Sequence, residues 1–411
     1  MSTIQQQVDV LIIGAGPAGA VAGALLNKKG YRVLIIEKEH FPRFSIGESL
    51  LPQCMTYLEQ AGMLAAVEKA GFQLKNGAAF SRAGHYEAYD FREKFTAGWG
   101  TTFQVQRDKF DKILADEAQA QGVEIRYGQA VTAYQDQAEQ VSLQVEIDSG
   151  QSYQVSARFV LDASGFGRVL PRLLKLEKAP TLSPRCSIFT HIEDNICDSR
   201  YDRNKILITV HPVHHDIWFW LIPFEQGRAS VGVVAPQGYL EKLAGNDQAK
   251  LKSLISETCL LNDILPKAKF DTPVRSIKGY SADVNKLYGK QFALLGNAGE
   301  FLDPVFSSGV TIALTSASLA ADTVDKQLSG QDPDWHSAYE APLRKGIDTF
   351  REFVEGWYDE RFQDVIFSQL KNDKLTRMIS SILAGYAWDS KNPYVKTPSR
   401  LSTLAQVCRE N

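Results

Sequence analysis

The stretch VDVLIIGAGPAGAVAGALLNKKGYRVLIIEK, residues 8–38, decides the fold. VDVLII, Val8 to Ile13, is a short apolar run rich in β-formers. A glycine-rich turn, GAGPAG, follows from Gly14 to Gly19, and residues 18–29 read as a helix. YRVLII, Tyr31 to Ile36, is the next strand and ends on Glu37 and Lys38. A strand, a helix and a strand in this order make a βαβ unit, so the sheet here is expected to be parallel. Gly14 permits a tight turn, Gly16 lets backbone approach a pyrophosphate, and Gly19 allows helix to pack against strand. Pro17 and Ala18 open the helix, whose free N–H groups and dipole favour an anion. Glu37 stands about twenty residues on, where a carboxylate accepts hydrogen bonds from an adenosine ribose. Only one such unit is present, so any reductant is expected to come from outside.

The rest of the composition narrows the class. A chain of 411 residues is too long for one ordinary core and suggests two intertwined domains with a terminal appendage. Hydrophobic content of 44% and charged content of 23% are those of a globular protein. A net charge of -3 gives no reason to expect nucleic acid or an anionic membrane as partner. The five cysteines form no CxxC pair, which argues for reduced thiols, a cytoplasmic address and no metal site. MSTIQQQ lacks the pattern of a signal peptide, and no run has the apolar length of a membrane span.

The organisation that follows is α/β. Segments 1–80, 105–170 and 280–330 are expected to form a discontinuous dinucleotide-binding domain with a parallel sheet. Residues 81–104 and 171–279, rich in alternating strand patterns, are expected to form an antiparallel sheet domain on the substrate side. Residues 331–411 read as a helical C-terminal region. There Phe350, Phe353 and Trp357 recur at helical spacing, so that stripe must be buried, and a cover over a substrate entrance is expected.

Other motifs place chemistry along this frame. Arg107, after Gln106 and before a helix, is expected to reach a phosphate. LDASG, Leu161 to Gly165, ends a strand in Asp162 and small residues. LGNAG, Leu295 to Gly299, ends another and leads to FLDPVFSSG, Phe301 to Gly309, and a long helix. Asp303 is expected to hydrogen-bond a ribityl chain, with a plain helix cap as the simpler reading. WFWLIP, Trp218 to Pro223, puts two indoles on one face of a strand. Lys75 lies in GFQLKNGAAF after GESLLP, Gly47 to Pro52; from the residues alone it is a solvated surface lysine.

Taken together, Gly14–Gly19, Arg107, Asp162–Gly165 and Gly296–Gly309 resemble the FAD scaffold of the aromatic hydroxylase and geranylgeranyl reductase superfamily. Within it the chain resembles flavin-dependent halogenases of phenol or pyrrole type. WFWLIP matches their WxWxIP signature, FLDPVFSSG is similar to their flavin- and halide-contacting segment, and Lys75 falls where they carry a catalytic lysine. The resemblance implies FAD held by Gly14, Gly16, Pro17, Ala18, Gly19, Glu37, Lys38, Arg43, Ser49, Arg107, Asp162, Gly296, Asn297, Asp303, Gly309 and Val310. It implies chloride or bromide held by Ser307, Ser308 and Gly309. FAD would arrive reduced from a separate flavin reductase and react with O2. Hypohalous acid would then pass Trp218 and Trp220, which keep the organic substrate from the flavin, and meet Lys75.

Two departures bear on the substrate. Asn297 stands where the wider superfamily has Asp, and it keeps the hydrogen-bonding capacity. Phe306 stands where tryptophan halogenases carry a Glu that assists attack by an indole. A small, more activated phenol or pyrrole, free or on an acyl carrier protein, is therefore expected. The competing readings are an FAD-dependent dehydrogenase resembling geranylgeranyl reductase, which needs neither halide nor Lys75, and an aromatic monooxygenase, against which the tryptophan pair argues.

Overall fold

The strand Gln5–Ile13 sits inside a seven-stranded sheet because its apolar run is buried on both faces. The computed structural model describes residues 5–370 and 372–410. Gln5–Ile13 pairs in parallel with Val33–Ile36 on one side and with Ser152–Asp162 on the other. Glu124–Arg126 adds a further parallel strand at the outer edge. Ser152–Asp162 changes partners along its length. Its first half pairs antiparallel with Val141–Ile147, and its end, Val160–Asp162, pairs in parallel with Phe292–Leu294. The carboxyl ends of four parallel strands, at Ile13, Ile36, Asp162 and Leu294, therefore lie side by side. Three helices pack together on this half, Pro17–Lys28, Arg107–Ala120 and Ser308–Leu328.

The second sheet, also of seven strands, runs in the order Arg275–Lys278, Arg185–Glu193, Arg228–Pro236, Trp218–Pro223, Lys205–Val210, Gly77–Arg82 and His85–Asp90. The strand Gly77–Arg82 belongs wholly to it, so a boundary at residue 80 runs through a strand. All pairs but one are antiparallel. In the signature strand the side chains alternate as a pleat requires. Phe219 and Leu221 join a core beneath the helices Asp247–Ser256 and Leu260–Ile264. Trp218, Trp220 and Ile222 join the main core on the opposite face. The α/β class and the interleaving of a parallel with an antiparallel sheet thus follow the sequence reading.

The tail is helical from Trp335 onward, and its longest helix is Ala341–Tyr358. Phe350, Phe353 and Trp357 are fully buried. The Trp357 ring lies 5.9 Å from Phe80 of the second sheet and 5.9 Å from Phe306. The helix therefore closes over the seam between the two halves. All five cysteines are free, and no helix among the described residues is long and apolar enough to cross a membrane.

One cross-strand pair fixes the tryptophan face. Trp220 stands opposite Gly232, and a Cβ at Gly232 would meet the Trp220 ring at 2.3 Å and Phe189 at 2.6 Å. Gly232→Ala is expected to cost about 3 kcal/mol, the upper end for overpacking a buried site, read from chemical denaturation followed by tryptophan emission.

Candidate active site

A cavity of about 440 Å³ opens at the carboxyl ends of the parallel strands, where α/β sheets bind their ligands. Gly14, Gly16, Pro17 and Ala18 line one part of it. Gly14 has φ +97°, and a Cβ there would approach the Ala163 oxygen to 2.7 Å, so only glycine fits. Gly19 is not in the wall. A Cβ on it would meet the Gly14 oxygen at 1.9 Å, so its bareness serves the packing of helix on turn. Gly296, Asn297, Ser307, Gly309 and Val310 line another part of the cavity. The first turns of two helices, Pro17–Lys28 and Ser308–Leu328, thus face the same space, and their free N–H groups suit anionic groups. Ser307 precedes the second helix in the left-handed region, at φ +57°, a conformation uncommon outside glycine.

The carboxylates expected at the cofactor behave in two ways. Glu37 lines the cavity, accepts the Ala15 N–H at 2.7 Å and accepts the Glu39 N–H at 2.9 Å. It clamps the glycine turn to the end of the second strand. Lys38 lies beside it in the wall. Asp162 and Asp303 are fully buried and lie outside the cavity wall. Asp162 accepts the Ser164 N–H at 2.9 Å and the Leu170 N–H at 2.6 Å. Asp303, expected on a ribityl chain, instead accepts the Val305 N–H at 3.0 Å and the Tyr358 hydroxyl at 2.8 Å. Burial pushes its carboxyl up to about 6, against its hydrogen bonds and the charge of Arg185.

The arginines are also committed within the protein. Arg107 lines the cavity, yet its Nε and Nη2 donate to Asp111 at 2.7 and 3.0 Å. Its Nη1 donates to the Ile46 carbonyl. Arg43 donates to the same Asp111 at 3.2 Å and lies over the Phe41 ring. Neither guanidinium is a free phosphate clamp. Residues 40–49 supply more of the wall than the motifs indicated. Phe44, Ile46 and Glu48 all line the cavity. Phe44 stacks on Phe189 with the Arg275 guanidinium 3.8 Å from its ring centroid. Glu48 accepts from His191 at 2.5 Å. The signal was present as an aromatic loop, FPRFSIGES, Phe41 to Ser49, a few residues after Glu37.

Trp218, Trp220 and Ser49 line the cavity, whereas Lys75 and Ser308 do not. Lys75 ends the short strand Gln73–Lys75 and is only 1% exposed, so the surface reading of it is overturned. Its Nζ donates to Ser49 Oγ at 2.8 Å and to the Leu50 carbonyl at 2.8 Å, beneath the Phe91 ring. Burial pulls the amine down to about 7, because the charged form loses its water. Ser49 thus joins the buried amine to the cavity wall. No group of His, Cys, Asp or Glu among the described residues could hold a metal ion.

The cavity fits a dinucleotide on its own features. It has a turn bare of side chains at Gly16, two helix ends and an acid beyond them. A Cβ at Gly16 would meet only the flexible Arg43 guanidinium, at 3.4 Å. Gly16→Ala is therefore expected to melt as the wild type does while losing FAD affinity by about tenfold or more, since a methyl group fills the approach to the diphosphate. Gly14→Ala is expected to lower the melting temperature of the apo-protein as well. A thermal melt paired with titration of flavin fluorescence separates the two.

Comparison with known proteins agrees with this geometry. Residues 7–245 match the model of an FAD binding domain family. A 1H-pyrrole-2-carbonyl-[peptidyl-carrier protein] chlorinase from Pseudomonas fluorescens is 30% identical, over 93% of this chain and 90% of that enzyme. A crystal structure of a protein described as a flavoprotein/dehydrogenase from Cytophaga hutchinsonii is 42% identical with a TM-score of 0.95, covering 98% of this chain and 99% of that one. The flavin-dependent brominase Bmp2 is 26% identical with a TM-score of 0.85, covering 99% of this chain and 100% of that one. The chain belongs to the flavin-dependent halogenase family of FAD-binding enzymes.

Proposed function

We propose that this enzyme halogenates an electron-rich aromatic ring, a pyrrole or phenol, with Lys75 as the group that delivers the halogen. The observation that carries the proposal is a lysine amine wholly buried, brought near neutrality, and joined to the cavity wall through Ser49. When bound in reduced form, FAD supplies the chemistry with O2 that converts chloride or bromide to hypohalous acid. Gly14, Gly16, Pro17 and Ala18 would cradle its diphosphate, and Glu37 its ribose. The backbone at Ser307 and Gly309, where the long helix begins, would hold the halide. Trp218 and Trp220 wall the cavity with two indoles whose centroids are 6.0 Å apart. On this reading they keep a ring-sized substrate from the flavin, while the much smaller hypohalous acid passes.

Lys75 can then act in either of two ways. The ammonium form donates a hydrogen bond to hypohalous acid and sharpens its electrophilic halogen. The neutral amine attacks the halogen, forms an N–halogen bond and releases water. The ring then takes the halogen from nitrogen, loses a proton and returns the amine. Phe306 packs on Trp357 and Phe362 and offers no carboxylate to help deprotonate the ring. That favours a substrate activated in itself. A carrier-bound pyrrole is supported by the pyrrolyl-carrier chlorinase among the relatives. Electrons would come from a separate flavin reductase, since the chain holds a single dinucleotide fingerprint. The rival reading, a flavin dehydrogenase, has one observation in its favour, the description of the structure from Cytophaga hutchinsonii.

Mass spectrometry of pyrroles and phenols, free and carrier-bound, after incubation with a flavin reductase, NADH and bromide tests the proposal. An oxidised or reduced aromatic with no halogenated one would favour the dehydrogenase. Lys75→Ala is expected to bind FAD and consume O2 yet give no halogenated product. Because the amine titrates near 7, its neutral form grows as pH rises through that value. Product formed per O2 consumed is expected to rise between pH about 6 and about 8 if the N–halogen route operates, and to fall if only the ammonium works.

A further inference from the structure

Both indoles of the signature strand are tethered by their N–H groups, but to different parts of the molecule. Trp220 Nε1 donates to Ser230 Oγ at 3.0 Å, on the adjoining strand. Trp218 Nε1 donates to the Tyr358 hydroxyl at 2.9 Å, on the last residue of the tail helix Ala341–Tyr358. An indole N–H can only donate, so the Tyr358 oxygen accepts and its own proton must go elsewhere. It goes to Asp303 Oδ2, at 2.8 Å. The same carboxylate oxygen receives the Tyr280 hydroxyl at 3.5 Å, and Oδ1 receives the Val305 N–H. The Arg185 guanidinium lies 3.3 Å from the Tyr358 ring centroid and donates to the Asp216 carbonyl. The direction of each proton from indole to carboxylate is thereby fixed.

We propose that Tyr358 is a positioning residue that holds the Trp218 indole in the cavity wall, with Asp303 holding the Tyr358 hydroxyl in turn. The tail helix thus helps to set the shape of the cavity wall at Trp218. The tether rests on geometry alone; its consequence for catalysis rests on the halogenase reading. Without the hydroxyl a buried indole N–H loses its acceptor, so the ring must turn or leave a donor unpaired. The tether also responds to acid. Ionised Asp303 accepts the Tyr358 proton, whereas a protonated carboxyl donates toward Tyr358 and leaves that proton without its acceptor. The groups facing Asp303 are Tyr280, Tyr358 and Arg185, and burial outweighs them in raising it. Its folded pKa is raised, so the tether is complete above about 6 and weakens as pH falls through that value.

Tyr358→Phe keeps the ring under Arg185 and removes only the hydroxyl. The near-ultraviolet circular dichroism of the apo-protein is measured for the wild type, Trp218→Phe and Tyr358→Phe. The band that Trp218→Phe abolishes is expected to lose most of its amplitude in Tyr358→Phe. In the wild type the band is expected to fade as pH drops through 6, and in Asp303→Asn, whose single amide oxygen cannot accept both the Val305 N–H and the Tyr358 hydroxyl, to be weak and independent of pH across that range. In turnover with a flavin reductase, Tyr358→Phe is expected to bind FAD as the wild type does and to give about tenfold less halogenated product per O2 consumed. An unchanged Trp218 band in Tyr358→Phe overturns the tether, and unchanged product per O2 overturns its role in the reaction. A wild type that makes no halogenated product sinks the halogenase reading alone, and the circular dichroism still decides the tether.

Discussion

Three pieces of backbone meet with no side chain between them, and the site depends on that contact. The Gly14 oxygen touches the place where a Cβ of Gly19 would be, and the Ala163 oxygen touches the place where a Cβ of Gly14 would be. Gly14 N–H donates to the Ile36 carbonyl, and Ala163 N–H donates to the Ile13 carbonyl. The turn is thereby held between the second strand and the end of Ser152–Asp162. Any side chain at Gly14 or Gly19 would push the helix Pro17–Lys28 off the sheet. With the helix in place, its first turn points into the space beyond the strand ends, and the cavity exists because nothing else fills it.

The charge pattern around that space follows from the same crowding. Arg43 and Arg107 converge on Asp111, which is wholly buried, and Arg43 also approaches Glu37 at 3.8 Å. Buried charges need partners, so these groups neutralise one another first. What remains to attract an anion is Lys38 at the rim and the pair of helix N-termini, whose N–H groups have no partner within their own helices. A diphosphate bound there would exchange water for backbone donors that are already in position. That is a geometric attraction and is less screened by salt than an exposed arginine would be.

How far the sequence could be read depended on how local each signal was. The βαβ unit was legible because turn, helix and acid all lie within thirty residues, and each glycine answers to one steric need. The tryptophan face was legible because strands have a period of two. Lys75 was not legible from its neighbours: a lysine at a strand end is usually solvated, and only the packing of Ser49, Leu50 and Phe91 reveals a buried amine. Asp303 was hard to read for a related reason. In the sequence it stands in FLDPVFSSG, and its partners Tyr280 and Tyr358, 23 and 55 residues away, approach it only in the fold. Tyr358 gave no signal at all, since its role depends on Trp218, 140 residues away.

The two ends of the site differ in what charge they tolerate, and this bears on which species passes between them. The cavity side presents helix ends to anions. The Lys75 side is dry enough to bring an ammonium down to about 7, its amine donating to one hydroxyl and one carbonyl. An environment that disfavours an ammonium because it lacks water disfavours a halide ion for the same reason, and burying an unpaired ion costs several kcal/mol or more. On the function proposed above, chloride or bromide would therefore stay at the helix end, and only a neutral carrier of the halogen would cross to Lys75. Hypohalous acid is such a carrier; its conjugate base is not. On that reading the indoles of Trp218 and Trp220 would discriminate by size against the aromatic substrate, and the dry surroundings of Lys75 by charge against the halide. On that reading, the apolar setting that lowers the Lys75 pKa would also keep unreacted halide away from it.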